Sequence, residues 1–191
     1  SMDARIDAIA DATARVIAES PQTLSELARG QYDRIAYLGS GILQGLAREA
    51  SLKLGELTNG AVATCFESPL GFRHGPKTFI TGHTLVMVFV SNDALTRRYD
   101  LDLVDELRRD GRAARIIEVS AQPRAAAGAD NIAVPAMAEA VDADLLWPYL
   151  AIAQIHAFLR SCALGVTPDN PNPAGLVNRV VQGVRLYALS A

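Results

Sequence analysis

The chain has 191 residues, half of them hydrophobic and a fifth charged, with a formal net charge of −3. That length and balance fit one soluble domain with a substantial core. The slight acidity and the lack of any basic run exclude a nucleic-acid footprint, and no apolar run approaches the ~20 residues of a membrane span.

In chain order, Ser1-Met2 reads as an expression remnant and is left out of the fold reasoning. No charged segment followed by an apolar run opens the chain, so no secretory signal is expected. Asp3 to about Glu19 places Ile6, Ile9, Ala10, Ala14 and Ile17 at helical spacing, and Ser20-Pro21 ends that helix. Thr23-Leu24-Ser25-Glu26 reads as a capping box opening a short second helix. Ile35–Leu38 is a strand stopped by Gly39-Ser40-Gly41, a helix spans roughly Leu43 to Leu57, and Asn59-Gly60 closes it.

Ala61–Phe66 is the next strand. Ser68–Thr78 is a Gly- and Pro-containing connection with a short helix near its end. Thr84–Val90 lacks polar alternation, as expected of a strand covered on both faces. Asn92 or Asp93 caps a helix from Ala94 to Asp110, Arg115–Val119 and Asn131–Val134 are two more strands, and Asp142–Leu164 is a long apolar helix. An irregular tail begins at Pro168–Pro173. Alternating strands and helices predict an α/β domain in three layers, a five-stranded parallel sheet flanked by helices. Residues 3–30 form an N-terminal helical segment and residues 31–191 the main domain.

Two residue groups could carry chemistry. Gly39-Ser40-Gly41 lies at the carboxyl end of a strand and before a helix, where such sheets bind ligands and helix amides meet anions. It is equally a tight turn. Glu49, Lys53 and Glu56 are spaced i, i+4 and i+7 and share one helix face. They form either a solvated ion-pair ladder or a tuned proton-transfer group. Lys53 is one of only two lysines in the chain, the other being Lys77. Leu46, Leu52, Leu54 and Leu57 surround the triad on the helical wheel and predict half-burial.

Arg73, His74 and Lys77 sit between glycines and prolines, a rigid loop in which His74 has little reason to be a core residue. His156, inside an apolar helix, reads as a core histidine, and His83 as a turn residue. Cys65 and Cys162 have no metal or redox spacing and read as free buried thiols of a reduced cytoplasm. No metal or cofactor is expected.

Three segments together, Tyr37–Gly41, Glu49–Leu57 and Ser68–Lys77, resemble the second sugar isomerase (SIS) domain of two-domain sugar-phosphate isomerases. Within that superfamily the chain is most similar to the tagatose-6-phosphate ketose/aldose isomerase group, which includes galactosamine-6-phosphate deaminase/isomerases. Thr167–Pro173 and Val177–Gly183 extend the resemblance into the tail.

It implies a flavodoxin-like strand order and a cytoplasmic phosphosugar enzyme that is at least a homodimer and needs no cofactor. By resemblance to glucosamine-6-phosphate synthase, Glu56 is the base moving a proton between C1 and C2, Lys53 its electrostatic partner and Glu49 a positioning group. His74 assists ring opening, while Gly39, Ser40, Gly41, Arg73 and Lys77 contact substrate.

Two departures stand out. Ser91-Asn92-Asp93 replaces the superfamily's Ser/Thr phosphate loop, which implies that a sibling SIS domain or second subunit grips the phosphate. The tail carries Asn178 and Arg179 where the synthase has a Schiff-base lysine. A sugar-phosphate isomerase or deaminase is therefore the leading reading, and a non-catalytic phosphosugar-binding or dimerisation module the other. A transcription regulator would need a helix-turn-helix extension, which the sequence lacks.

Overall fold

The computed structural model describes residues 2–175 and 183–188, with the side chain of Ala127 left aside. Two helices open the chain, α1 (Met2–Glu19) and α2 (Pro21–Ala28). There follow β1 (Arg34–Gly39), α3 (Ile42–Leu57), β2 (Ala63–Glu67), α4 (Pro69–His74) and a single 3₁₀ turn, Pro76–Phe79. Then come β3 (Thr84–Phe89), α5 (Ala94–Asp110), β4 (Arg115–Ser120), a second 3₁₀ segment at Ala125–Asp130, β5 (Asn131–Ala133) and α6 (Asp142–Ala163). All four strand pairings are parallel and the order is β2-β1-β3-β4-β5, the flavodoxin-like order expected.

Alternation along the strands divides the core in two. Ile35 and Tyr37 of β1 pack with α1, α2, α3 and α6 on one face, while Ala36 and Leu38 pack with Phe72 of α4 and with α5 on the other. β3, central in the sheet, is buried at all six positions, as its unbroken apolar run predicts. β2 is an edge strand and only partly covered. The N-terminal helices belong to the same core as the sheet, since Ala12, Val16, Leu24 and Leu27 pack within it.

Local chemistry moved several boundaries. The second helix starts at Pro21 rather than at a Thr23 cap, because Ser20 N–H still bonds Val16 O and Pro21 takes the first helical position. β2 begins two residues later than expected, since Ala61 N–H bonds Thr58 O and extends the Asn59-Gly60 turn. Ser68–Thr78 is mostly helical: Ser68 caps α4, its Oγ accepting from Gly71 N–H at 3.1 Å. Asp93 caps α5, its Oδ1 accepting from Thr96 N–H at 2.8 Å.

Tyr37, Phe89 and Tyr149 stack through the first core with ring centroids 6.2 and 6.0 Å apart. The Tyr149 hydroxyl donates to Val90 O and accepts from Ala121 N–H. The Tyr37 hydroxyl is buried without a partner, and burial pushes its phenol pKa far up. Tyr37→Phe should therefore leave stability unchanged or raise it by about 1 kcal/mol in denaturant titrations. A loss above that size would show that the hydroxyl is bonded.

Candidate functional site

At the switch point between β1 and β3 the strand order reverses, and Gly39-Ser40-Gly41 leads into α3. A side chain at position 39 would meet Leu43 O at 2.5 Å, and Gly41 holds φ +55°, so both glycines are required by the turn. The Ser40 hydroxyl is committed inward: it donates to Asp100 Oδ1 at 2.5 Å. Asp100 Oδ2 accepts from Ser91 N–H at 3.0 Å. Asp142 completes the pattern, accepting from Ser91 Oγ at 2.6 Å and Asn92 N–H at 2.8 Å.

Two carboxylates of the chain itself thus take the donors that such a crevice would offer an anion. Burial, the larger influence, pushes the fully buried Asp100 carboxyl above its ordinary pKa, against the bonds from Ser40 and Ser91. Sequence reasoning missed both acids. Asp100 could have been found, since it falls on the apolar stripe of α5 with Leu103, Val104 and Leu107.

The α3 triad is assembled as its spacing requires. Lys53 Nζ lies 2.8 Å from Glu56 Oε2 and 3.9 Å from Glu49 Oε1. The hydrogen bond that Lys53 donates to Glu56 holds its ammonium above the usual pKa. Half of the predicted leucine surround is there: Leu52 and Leu57 line the same groove as Lys53 and Glu56, while Leu46 and Leu54 turn into the core. Side-chain exposures of 36% for Lys53, 40% for Glu49 and 46% for Glu56 leave the triad half-buried beside a wet groove. That groove, of about 1290 Å³, runs between α3, the β2 edge and the Pro168–Asn172 loop, and Lys53 and Glu56 line it. Asn172 Nδ2 donates to Asn59 Oδ1 at 2.8 Å and fastens the loop to the end of α3.

Arg73, His74 and Lys77 lie on the other face of the sheet. Arg73 contacts Asp102 at 2.6 Å and Glu106 at 2.9 Å, and Lys77 contacts Glu106 and, at 2.5 Å, Asp110. Three carboxylates spaced i, i+4 and i+8 on α5 thus clasp two cations, and the hydrogen bonds raise both cations' pKa. These ion pairs give Arg73 and Lys77 a structural post. His74 ends α4 and is exposed.

One chain therefore brings Glu49, Lys53 and Glu56 together. It places His74, Arg73 and Lys77 beyond the sheet from them. Asn178 and Arg179 lie outside the described residues. Among the described residues no cluster of three or more His, Cys, Asp or Glu could hold a metal ion, and no helix is long and apolar enough to cross a membrane.

No protein-family model matches the chain. It is 45% identical over 175 residues to the D-galactosamine-6-phosphate deaminase of Escherichia coli, covering 88% of this chain and 46% of that protein. The crystal structure of tagatose-6-phosphate ketose/aldose isomerase from Escherichia coli superposes with a TM-score of 0.80 and 41% identity, over 92% of this chain and 47% of that one. The C-terminal domain of glucosamine-fructose-6-phosphate aminotransferase from Francisella tularensis shares the fold, with a TM-score of 0.66 at 16% identity, over 81% of this chain and 43% of that one. The chain spans about half the length of the relatives it matches.

Proposed function

We propose that the chain is a stretch of a sugar-phosphate isomerase or deaminase, about half as long as the relatives it matches, and that its α3 groove is the proton-transfer wall of a hexose or hexosamine 6-phosphate site. The observation that carries this reading is the Lys53–Glu56 contact of 2.8 Å at the rim of an open groove. Aldose–ketose exchange needs a base that takes the proton from C2 and returns it to C1, while positive charge faces the oxygen that becomes anionic in the enediol. Glu56 is the base. Lys53 holds the carboxylate in place and supplies that charge, and Glu49 positions Lys53 from the opposite side.

Substrate phosphate is held elsewhere, because Asp100 and Asp142 already take the amides and hydroxyls of the Ser40 and Ser91 turns. A sibling SIS domain or second subunit supplies the phosphate grip. His74, separated from Glu56 by the sheet, assists ring opening at a site to which another domain contributes the base. The filled crevice also favours a second reading, a phosphosugar-binding or dimerisation module without turnover.

The test is solvent exchange. Incubated in D₂O with galactosamine 6-phosphate or tagatose 6-phosphate, the chain alone should incorporate no deuterium at C1 or C2. Exchange should appear when the phosphate-holding half of a relative is supplied. Ready turnover by the chain alone would overturn the division of labour, and no exchange with the second half present would favour the binding module.

A further inference from the structure

We infer that Phe66 is the platform on which the sugar lies in the α3 groove, its aromatic face stacked on the C–H face of a closed pyranose ring. The inference rests on the sugar-site reading and deepens it by naming the residue that orients the ring. Sheet register puts the side chain there. In the parallel pairing of β1 with β2, Phe66 stands beside Tyr37 and Cys65 beside Ala36. Side chains alternate along each strand, and paired residues share a face. Tyr37 packs on the α3 side of the sheet, while Ala36 and Cys65 pack on the other. Phe66 therefore projects towards α3. Thr64 does the same, and its Oγ1 donates to Ser51 O at 3.2 Å, holding the edge strand against the helix.

Phe66 is 41% exposed, and among the described residues that line the groove it alone is aromatic. Leu52 and Leu57 extend the apolar part of the lining, and Lys53 and Glu56 supply the charged part. Small-molecule sites combine aromatic and apolar walls with a few polar groups that fix orientation.

A pyranose is divided the same way. Its hydroxyls lie mainly around the rim, and its C–H bonds make the two faces weakly apolar. Those hydrogens carry slight positive charge and are attracted to the negative face of an aromatic ring. The hydroxyls are left to the charged wall. An open-chain sugar has no such flat face, so Phe66 selects the ring. The groove thus takes up the sugar closed, ahead of the opened form on which Glu56 acts.

Saturation-transfer NMR with galactosamine at millimolar concentration tests this on the chain alone. Transfer to the ring C–H protons is expected, and little to galactosaminitol, its reduced form that cannot close. Phe66→Leu keeps an apolar side chain on the strand but removes the flat face, and should raise the galactosamine dissociation constant about 10-fold. Phe66→Tyr should bind as the wild type does. Thermal melts of both variants establish that each is folded. Undiminished binding in Phe66→Leu would overturn the inference. So would equal transfer to ring and open chain, or no transfer at all in the wild type. The proton-transfer reading is judged separately, by C1–C2 exchange with the phosphate-holding half supplied, so the stacking can fail while that reading stands.

Discussion

Glu56→Gln is expected to slow C1–C2 proton exchange by about 10²–10⁴-fold once the phosphate-holding half is supplied, with the fold unchanged. Glutamine keeps the length of the side chain and leaves a carbonyl that still accepts from Lys53, so the geometry of the groove survives. What is lost is the capacity to take a proton. Glu56 is 46% exposed, and its bond to Lys53 joins two half-exposed side chains, so the stability change should stay within about 0.5 kcal/mol. Lys53→Met separates the roles further, because it leaves the base in place and removes the charge facing the enediol oxygen. Deuterium incorporation at C2, followed beside a thermal melt, distinguishes the outcomes. Wild-type exchange in Glu56→Gln would remove Glu56 from the role of base, and a collapsed melt would make the triad structural.

Acid should destabilise the fold through His156. Its imidazole is fully buried in α6, both ring nitrogens lack partners, and burial first, then Arg160, lowers its pKa to about 4. In the unfolded chain the ring takes up a proton below the ordinary value of about 6.5. The folded state resists protonation until about pH 4. Protons then bind preferentially to the unfolded state, so stability is complete above pH 6.5 and falls as the pH drops towards 4. The full window corresponds to about 3 kcal/mol. Asp100 acts with the opposite sign, since its raised carboxyl favours the folded state in acid. The difference between wild type and His156→Leu isolates the histidine. The variant should show a flatter acid limb and, with two orphaned nitrogens removed, equal or greater stability at pH 7. Parallel limbs in the two proteins would mean that water or a partner reaches the ring.

The sheet was legible because its signals are local and redundant. Thr84–Phe89 reads as a doubly covered strand from composition alone, and the Gly39-Ser40-Gly41 stop fixes where α3 begins. Helix periodicity correctly put Glu49, Lys53 and Glu56 on one face. It did not reveal which way Leu46 and Leu54 turn, because the wheel gives angles and only packing decides which angle is inside. Ser68–Thr78 reads as a connection with only a short helix near its end because two Gly and two Pro interrupt it, yet Pro69 and Pro76 each occupy an opening helical position, where proline is favoured.

The cations at 73 and 77 illustrate the harder limit. Their partners Asp102, Glu106 and Asp110 lie some thirty residues on, and nothing in the local sequence distinguishes a residue that meets substrate from one held by a neighbouring helix. Asp100 and Asp142 were obscured for the same reason, since their bonds to the Ser40 and Ser91 turns span 60 and 51 residues.

The carboxylates that fill the switch-point crevice have a consequence for timing. A loop that waits for phosphate is ordered only when the ligand arrives, and its ordering entropy weakens binding. Here the Ser91-Asn92 turn receives its anions at the moment the chain folds. They are covalently tethered and do not leave. The turn therefore has the same order in the empty and the loaded protein, and it serves as a fixed strut rather than a reporter of occupancy.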